Sequence, residues 1–276
     1  MGHDKLRKFA ENETFSCLLQ PSAQELLADG YFNLRDHAVK GHWAERFGNG
    51  RPIVLELGCG KGEYTVALAE RDPERNYIGV DIKGARLWKG AKYATEHALP
   101  NVAFLRTRVE FISAFFAPGE VSEVWLTFSD PQYRSENSRL CSPLFLERYR
   151  NFLCPGGVIH LKTDSRFLHE YARAVCAANG LQVLACTQDL YGTAGEDSIQ
   201  PVVREVQTFY EQLFLQQGYP ITYLSFVVDH DGPFVSPRDP EEFDTQKWRE
   251  AEGPRLLFGH DSAETRRQKL RAAKED

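Results

Sequence analysis

The chain of 276 residues has no apolar run approaching the roughly 20 residues that a membrane-spanning helix needs. Its opening stretch, MGHDKLRKFAENETF, lacks the apolar core of a signal peptide, so a soluble, cytoplasmic protein is expected. None of the six cysteines (Cys17, Cys59, Cys141, Cys154, Cys176 and Cys186) forms a CxxC pair, and no His-rich ligand spacing accompanies them. They read as buried thiols, and no metal is expected. Internal repeats are absent, and a net charge of −6 lacks the basic excess that nucleic-acid binding usually leaves. What is present is 42% hydrophobic and 26% charged residues, the balance of a globular protein able to bury a core without disulfides.

From residue 51 to 228 short β-branched apolar runs alternate with amphipathic stretches. IVLEL (53–57), YIGVD (77–81), VAFLR (102–106), EVWLTF (123–128), VIHLKT (158–163), QVLAC (182–186) and ITYLSFVV (221–228) read as seven strands. Helical patterns over 64–71, 83–98, 143–152 and 166–179 separate most of them, which predicts βαβ units and a mostly parallel sheet covered on both faces, a Rossmann-like α/β fold. Residues 1–50 are expected to form an N-terminal arm or cap, and 187–220 an insertion over one end of the sheet. Residues 229–276, charged and Pro-containing, read as a surface or disordered tail with a short helix at AETRRQKLRAAKE.

VLELGCGKGEY ends a strand in a glycine-rich turn, where Gly58, Gly60 and Gly62 permit tight backbone geometry and close ligand approach. A dinucleotide fingerprint wants a third glycine five residues after the first; that position is Glu63, so the pattern fails. Glu56, two residues before the first glycine, would sit badly beside a pyrophosphate but well beside an ammonium or sulfonium. S-adenosylmethionine carries both. Asp81, closing the next strand, is placed to accept hydrogen bonds from ribose hydroxyls. The same two acids also fit a ligand-free turn, Glu56 as a helix-start acid and Asp81 as a cap. After the third strand, Arg108 has the wrong chemistry for accepting from an adenine amine; Glu110 has the right chemistry, and its position equally fits a solvated helix start.

TFSDPQYR (127–134) places Asp130 where the fourth strand stops, at the switch point beside which ligands sit in such sheets. With these motifs in order, the chain resembles the bacterial tRNA (guanine-N7)-methyltransferases, which act on the variable-loop guanine at tRNA position 46. The resemblance spans residues 5 to 228 and rests on KLRKFAENETF, VLELGCGKGEY, IGVDIKGAR, TFSDPQ, GGVIHLKTD and TFYE. It implies a class I S-adenosylmethionine-dependent methyltransferase domain over 51–228, with tRNA as partner and S-adenosylmethionine as cofactor. It further implies Glu56, Gly58, Gly60, Asp81 and Asp130 as cofactor contacts, with Asp130 catalytic, and Arg134, Asp164, Thr208, Phe209, Tyr210 and Glu211 as substrate contacts. Thr-x-x-Glu is also a capping box, so a structural role for Thr208 and Glu211 is the alternative to substrate contact.

One stretch departs from that family. Its members usually carry a dense basic run after the turn, whereas YRSENSRL keeps Arg134 and Arg139 and interrupts them with Ser135, Glu136, Asn137 and Ser138. Lys83, Arg86, Lys89, Lys92, Arg106 and Arg108, with Lys5, Arg7 and Lys8, offer a compensating basic surface or a solvated face. A small-molecule nitrogen acceptor and a non-catalytic RNA-binding relative are the competing functions for the same fold.

Overall fold

A computed structural model describes residues 2–30, 33–192, 198–237, 243 and 245–252. The first fifty residues carry α1 (Gly2–Asn12), β1 (Leu18–Leu19), α2 (Ala23–Leu26) and α3 (Trp43–Phe47). The alternating region follows as β2 (Ile53–Leu57), α4 (Glu63–Arg71), β3 (Asn76–Asp81), α5 (Gly84–Glu96) and β4 (Val102–Arg106). After a 3-10 turn come β5 (Val121–Thr127), α6 (Pro143–Arg150), β6 (Leu153–Thr163), α7 (Arg166–Ala178) and β7 (Val183–Thr187). The chain continues through α8 (Pro201–Glu205), α9 (Phe209–Gln216), β8 (Thr222–Val227) and α10 (Thr245–Glu252). No helix among the described residues is long and apolar enough to cross a membrane.

The strands form one sheet in the order β1-β4-β3-β2-β5-β6-β8-β7. Pairs from β1 to β6 are parallel, while β8 runs antiparallel to both β6 and β7. Eight strands stand where seven are predicted, because β1 is a two-residue edge paired with Phe104 and Leu105, too short to show a period. Strand β6 starts five residues earlier than its apolar run. Its register against β5 shifts between Val121 and Glu123, a bulge that accommodates the CPGG segment, so pairing that starts at Leu153 resumes at Val158.

Side chains alternate across the sheet, so Ile53, Leu55 and Leu57 join one apolar cluster while Val54 joins the other. That alternation puts Glu56 on the Val54 face, beneath α4. Chain order reverses at β2, which pairs β3 on one side and β5 on the other, and this opens a crevice at the carboxyl ends of β2 and β5. The N-terminal segment packs on the sheet's helical layer: Asn12 donates to Gly84 O at 3.0 Å and Trp88 Nε1 to Glu11 at 2.6 Å.

The segment after β8, expected to be a loose tail, is packed where it is described. Phe234 is buried, its N–H donates to Glu147 at 2.9 Å, and Asn179 bonds both N–H and C=O of Val235. Helix α10 then lies against α7, with Trp248 5.9 Å from the Phe167 ring. The short helix expected at AETRRQKLRAAKE falls outside the described residues.

Candidate functional site

The crevice is built first from the glycine turn. Gly58, Gly60 and Gly62 all have positive φ (77°, 59° and 70°), and a Cβ at Gly62 would lie 2.5 Å from the Phe104 ring. Backbone N–H groups of Gly58 and Cys59 both reach Val80 O, at 2.8 and 3.0 Å, tying the turn to β3. Asp81 completes the tie: one carboxylate oxygen accepts from Gly60 N at 3.0 Å, the other from Lys83 N at 2.7 Å.

Glu56 is buried beneath this turn. One oxygen accepts from the Thr65 N–H at 2.9 Å and from its hydroxyl, the other from the Thr127 hydroxyl. These partners are all neutral. Burial therefore pushes the carboxyl up to about 7, with the hydroxyl and amide bonds opposing and the nearby Asp81 charge adding to the rise. A buried acid held short of full ionisation is suited to a cation arriving above it. Beside it opens a cleft of about 410 Å³ lined by Gly58, Asp81, Ile82, Thr107, Arg108, Val109 and Glu110. Ile82 is an exposed apolar side chain in that cleft, flat company for a base, and Arg108 is paired with Glu110 at 3.3 Å. The ensemble fits a nucleoside with a cationic end.

At the tip of β5, Phe128 and Gln132 take φ of 49°, a left-handed geometry that non-glycine residues rarely adopt. Between them Asp130 is exposed and accepts from Gln132 N at 2.9 Å, in the turn that follows the carboxyl end of β5. Arg134 is exposed. Arg139 is not: it is buried, with its guanidinium 4.7 Å from the Phe167 ring and 4.3 Å from the Tyr171 ring. Of the two basic residues kept in YRSENSRL, only Arg134 is at the surface, because the Arg139 charge is turned onto aromatic faces.

The remaining predicted contacts divide into two kinds. Asp164 follows β6 directly and is half-buried beside Ser165, the N-cap of α7. Phe209 and Tyr210 are 55% and 39% exposed at the start of α9, with Lys61 of the glycine turn over both rings at 5.2 and 5.9 Å. Thr208 and Glu211 instead form the capping box of α9. Glu211 is 0% exposed and pairs with the equally buried Lys162 at 2.7 Å while accepting from Tyr191 OH at 2.6 Å. Its carboxylate has no face toward the crevice, so the base-contacting role expected of Glu211 gives way to a positioning one.

Sequence reading missed Lys162, whose ammonium also donates to Val203 O at 2.6 Å and Val206 O at 2.9 Å. It thereby pins the α8–α9 insertion to β6; burial pushes its pKa down, opposed by Glu211. A lysine inside VIHLKT is the signal available in the sequence, a charge where the apolar run predicts none. Glu63 was also missed: it accepts from Phe209 N at 3.1 Å and from Lys89 at 3.0 Å, joining glycine turn, α5 and α9. The basic surface is partly neutralised, since Lys92 pairs with Glu96 and Arg7 with Asp4 and Glu11.

Residues 50–224 match the family described as "Putative methyltransferase". The chain is 49% identical over 229 residues to the tRNA (guanine-N(7)-)-methyltransferase of Christiangramia forsetii, covering 82% of this chain and 98% of that one. It is 47% identical to the protein of the same name from Bacteroides thetaiotaomicron, over 86% and 90% of the two chains. Among solved structures, an antibiotic-related methyltransferase shares the fold with a TM-score of 0.51 at 17% identity, over 71% of this chain and 96% of that one. The 16S rRNA methyltransferase KamB does so with a TM-score of 0.50 at 17% identity, over 70% and 92%.

Proposed function

The chain belongs to the tRNA (guanine-N7)-methyltransferase family, and on that premise we propose that it transfers a methyl group from S-adenosylmethionine to N7 of the variable-loop guanine, tRNA position 46. The observation that carries the site assignment is the convergence of Asp81, Glu56 and Asp130 at the ends of β3, β2 and β5, three neighbours in the sheet. On this reading the enzyme works in the cytoplasm, where its substrate is.

When bound, the cofactor supplies a methyl group made electrophilic by its sulfonium. Asp81 would hold the ribose hydroxyls, Ile82 would offer the adenine an apolar face, and the Glu56 charge beneath the glycine turn would favour the cationic methionine end. Guanine N7 is an unprotonated lone pair at neutral pH, so no strong base is needed; alignment and charge stabilisation are. Transfer would make the N7–methyl bond as the sulfur–methyl bond breaks, and the residues around the ring would then face a purine that has become positively charged. Asp130, exposed in the turn after β5, would supply the negative partner for that developing charge. Asp164 can accept from the guanine Watson–Crick edge, which presents N–H donors. Arg134 meets backbone phosphate, and Phe209 and Tyr210 give the base an aromatic surface.

The experiment is incubation with labelled methyl donor and unmodified tRNA, followed by mapping of the labelled nucleotide. Label at N7 of the variable-loop guanine is expected. Label on another atom, or none while the cofactor still binds, rejects the reading.

A further inference from the structure

We propose that Glu63 is a positioning residue for methyl transfer: reaching out from the glycine turn, it aligns the Phe209–Tyr210 pair with the turn that receives the cofactor. The inference rests on the functional reading above, in which that pair meets the target base. Position 63 is where a dinucleotide fingerprint keeps its third glycine, and here it carries an acid. Glu63 is the first residue of α4. One of its carboxylate oxygens accepts from Phe209 N at 3.1 Å and the other from Lys89 Nζ at 3.0 Å. Lys61, two positions earlier, lies over both aromatic rings, which stand edge to face with centroids 5.8 Å apart.

The body of α9 is anchored elsewhere, since Glu211 is held in the core by Lys162 and Tyr191. What Glu63 and Lys61 add is the alignment of the helix's first turn, where Phe209 stands first and Tyr210 second. Glu63 also lines a cavity of about 280 Å³ with Lys61, Gly62, Val66, Lys89 and Tyr93. Part of its side chain therefore has no packed neighbour, and its polar partners fix the carboxylate. The same glycine turn lines the cleft of about 410 Å³ through Gly58, so the stretch from Gly58 to Glu63 borders the cofactor cleft at one end and holds the substrate-side aromatics at the other. A misplacement of about 1 Å between reacting groups costs on the order of a hundredfold in rate, so alignment is where such a link acts. A surface ion pair with Lys89, or a helix-start charge for α4, accounts for an acid at position 63; neither accounts for its bond to Phe209 N, 146 positions away.

The test separates charge from reach. Glu63→Gln keeps an acceptor at the full length of the side chain and loses the charge; Glu63→Asp keeps the charge at the start of α4 and draws it back by one methylene from Phe209 N. For each full-length variant, kcat and KM for unmodified tRNA are measured alongside calorimetric cofactor affinity and melting temperature. Glu63→Gln is expected to stay within about threefold of wild type in kcat/KM, and Glu63→Asp to fall at least about tenfold, mostly in kcat, with cofactor affinity unchanged in both. A charge role alone gives the reverse order and overturns the proposal, as does a loss of cofactor affinity by Glu63→Asp that matches its loss of turnover. Phe209→Ala with Tyr210→Ala, alone and combined with Glu63→Asp, tests the route. The combined variant should be no more than about twofold worse than the aromatic pair changed alone; losses that multiply show that Glu63 does not act through the pair and overturn the proposal. A wild-type chain that methylates tRNA with Glu63→Asp unimpaired rejects this proposal alone; a wild-type chain that leaves tRNA unmethylated rejects the functional reading and this proposal with it.

Discussion

Replacing Glu56 with Gln should separate stability from function in a pH-dependent way. The folded-state carboxyl titrates at about 7 against an ordinary value of 4.5, because burial outweighs the hydroxyl and amide bonds it accepts. With the folded value raised, the stabilisation is complete below pH 4.5 and is lost as pH rises through 7. Integrating between pH 5 and pH 8, the wild-type chain loses roughly 2–3 kcal/mol that Glu56→Gln does not lose. The amide can still accept from the Thr65 N–H, so the variant's own packing penalty applies equally at both pH values and cancels in the difference. At about 2 °C per kcal/mol for a chain of this size, the variant's melting temperature relative to wild type should rise by about 5 °C from pH 5 to pH 8. Cofactor affinity should move the other way, weakening at pH 8, where wild-type Glu56 is charged. Thermal melts without cofactor at the two pH values, paired with calorimetric titration of the cofactor, read both quantities. A melting difference that does not change with pH would refute the claim that an uncompensated buried acid lies under the glycine turn.

Three further perturbations test other parts of the site. Asp130→Ala removes an exposed side chain, so melting should stay within about 0.5 kcal/mol of wild type while methyl transfer falls at least about a hundredfold; near-normal turnover would take Asp130 out of the mechanism. Gly62→Ala must hold an L-residue at φ of 70° with its Cβ 2.5 Å from Phe104, and a loss of at least about 2 kcal/mol in denaturant melts is expected. Phe104→Leu in the same chain should recover part of it. Arg134→Ala should reduce the salt dependence of tRNA binding by about one unit of slope, whereas Arg139→Ala should leave that slope alone and lower the melting temperature. A salt-slope change from Arg139→Ala would show that its aromatic contacts open on RNA binding.

The short strand runs, the glycine turn and the three acids at strand ends were legible because each depends on local order along the chain: a period of two, a positive-φ requirement, a charge where an apolar run stops. From those, the parallel sheet and the crevice at the carboxyl ends of β2 and β5 follow with little help from distant residues. The two-residue β1 and the bulge after Val121 were not legible, since pairing partners and not periodicity create them. Side chains of like chemistry were harder still. Arg134 and Arg139 read alike in YRSENSRL, and only the packing of α7 turns one into a buried aromatic contact and leaves the other at the surface. Glu211 reads as an acid ready for a base until Lys162, 49 positions earlier in the numbering, is brought beneath it by the pairing of β6 with β5 and β8. The sequence by itself determined the fold class, the glycine turn and which acids stand at the strand ends. Tertiary structure alone decided which charges stay at the surface, which are consumed in the core, and that Glu252 from the far end of the chain reaches Tyr133 in the turn after β5, because burial and ion pairing depend on neighbours that only folding brings together.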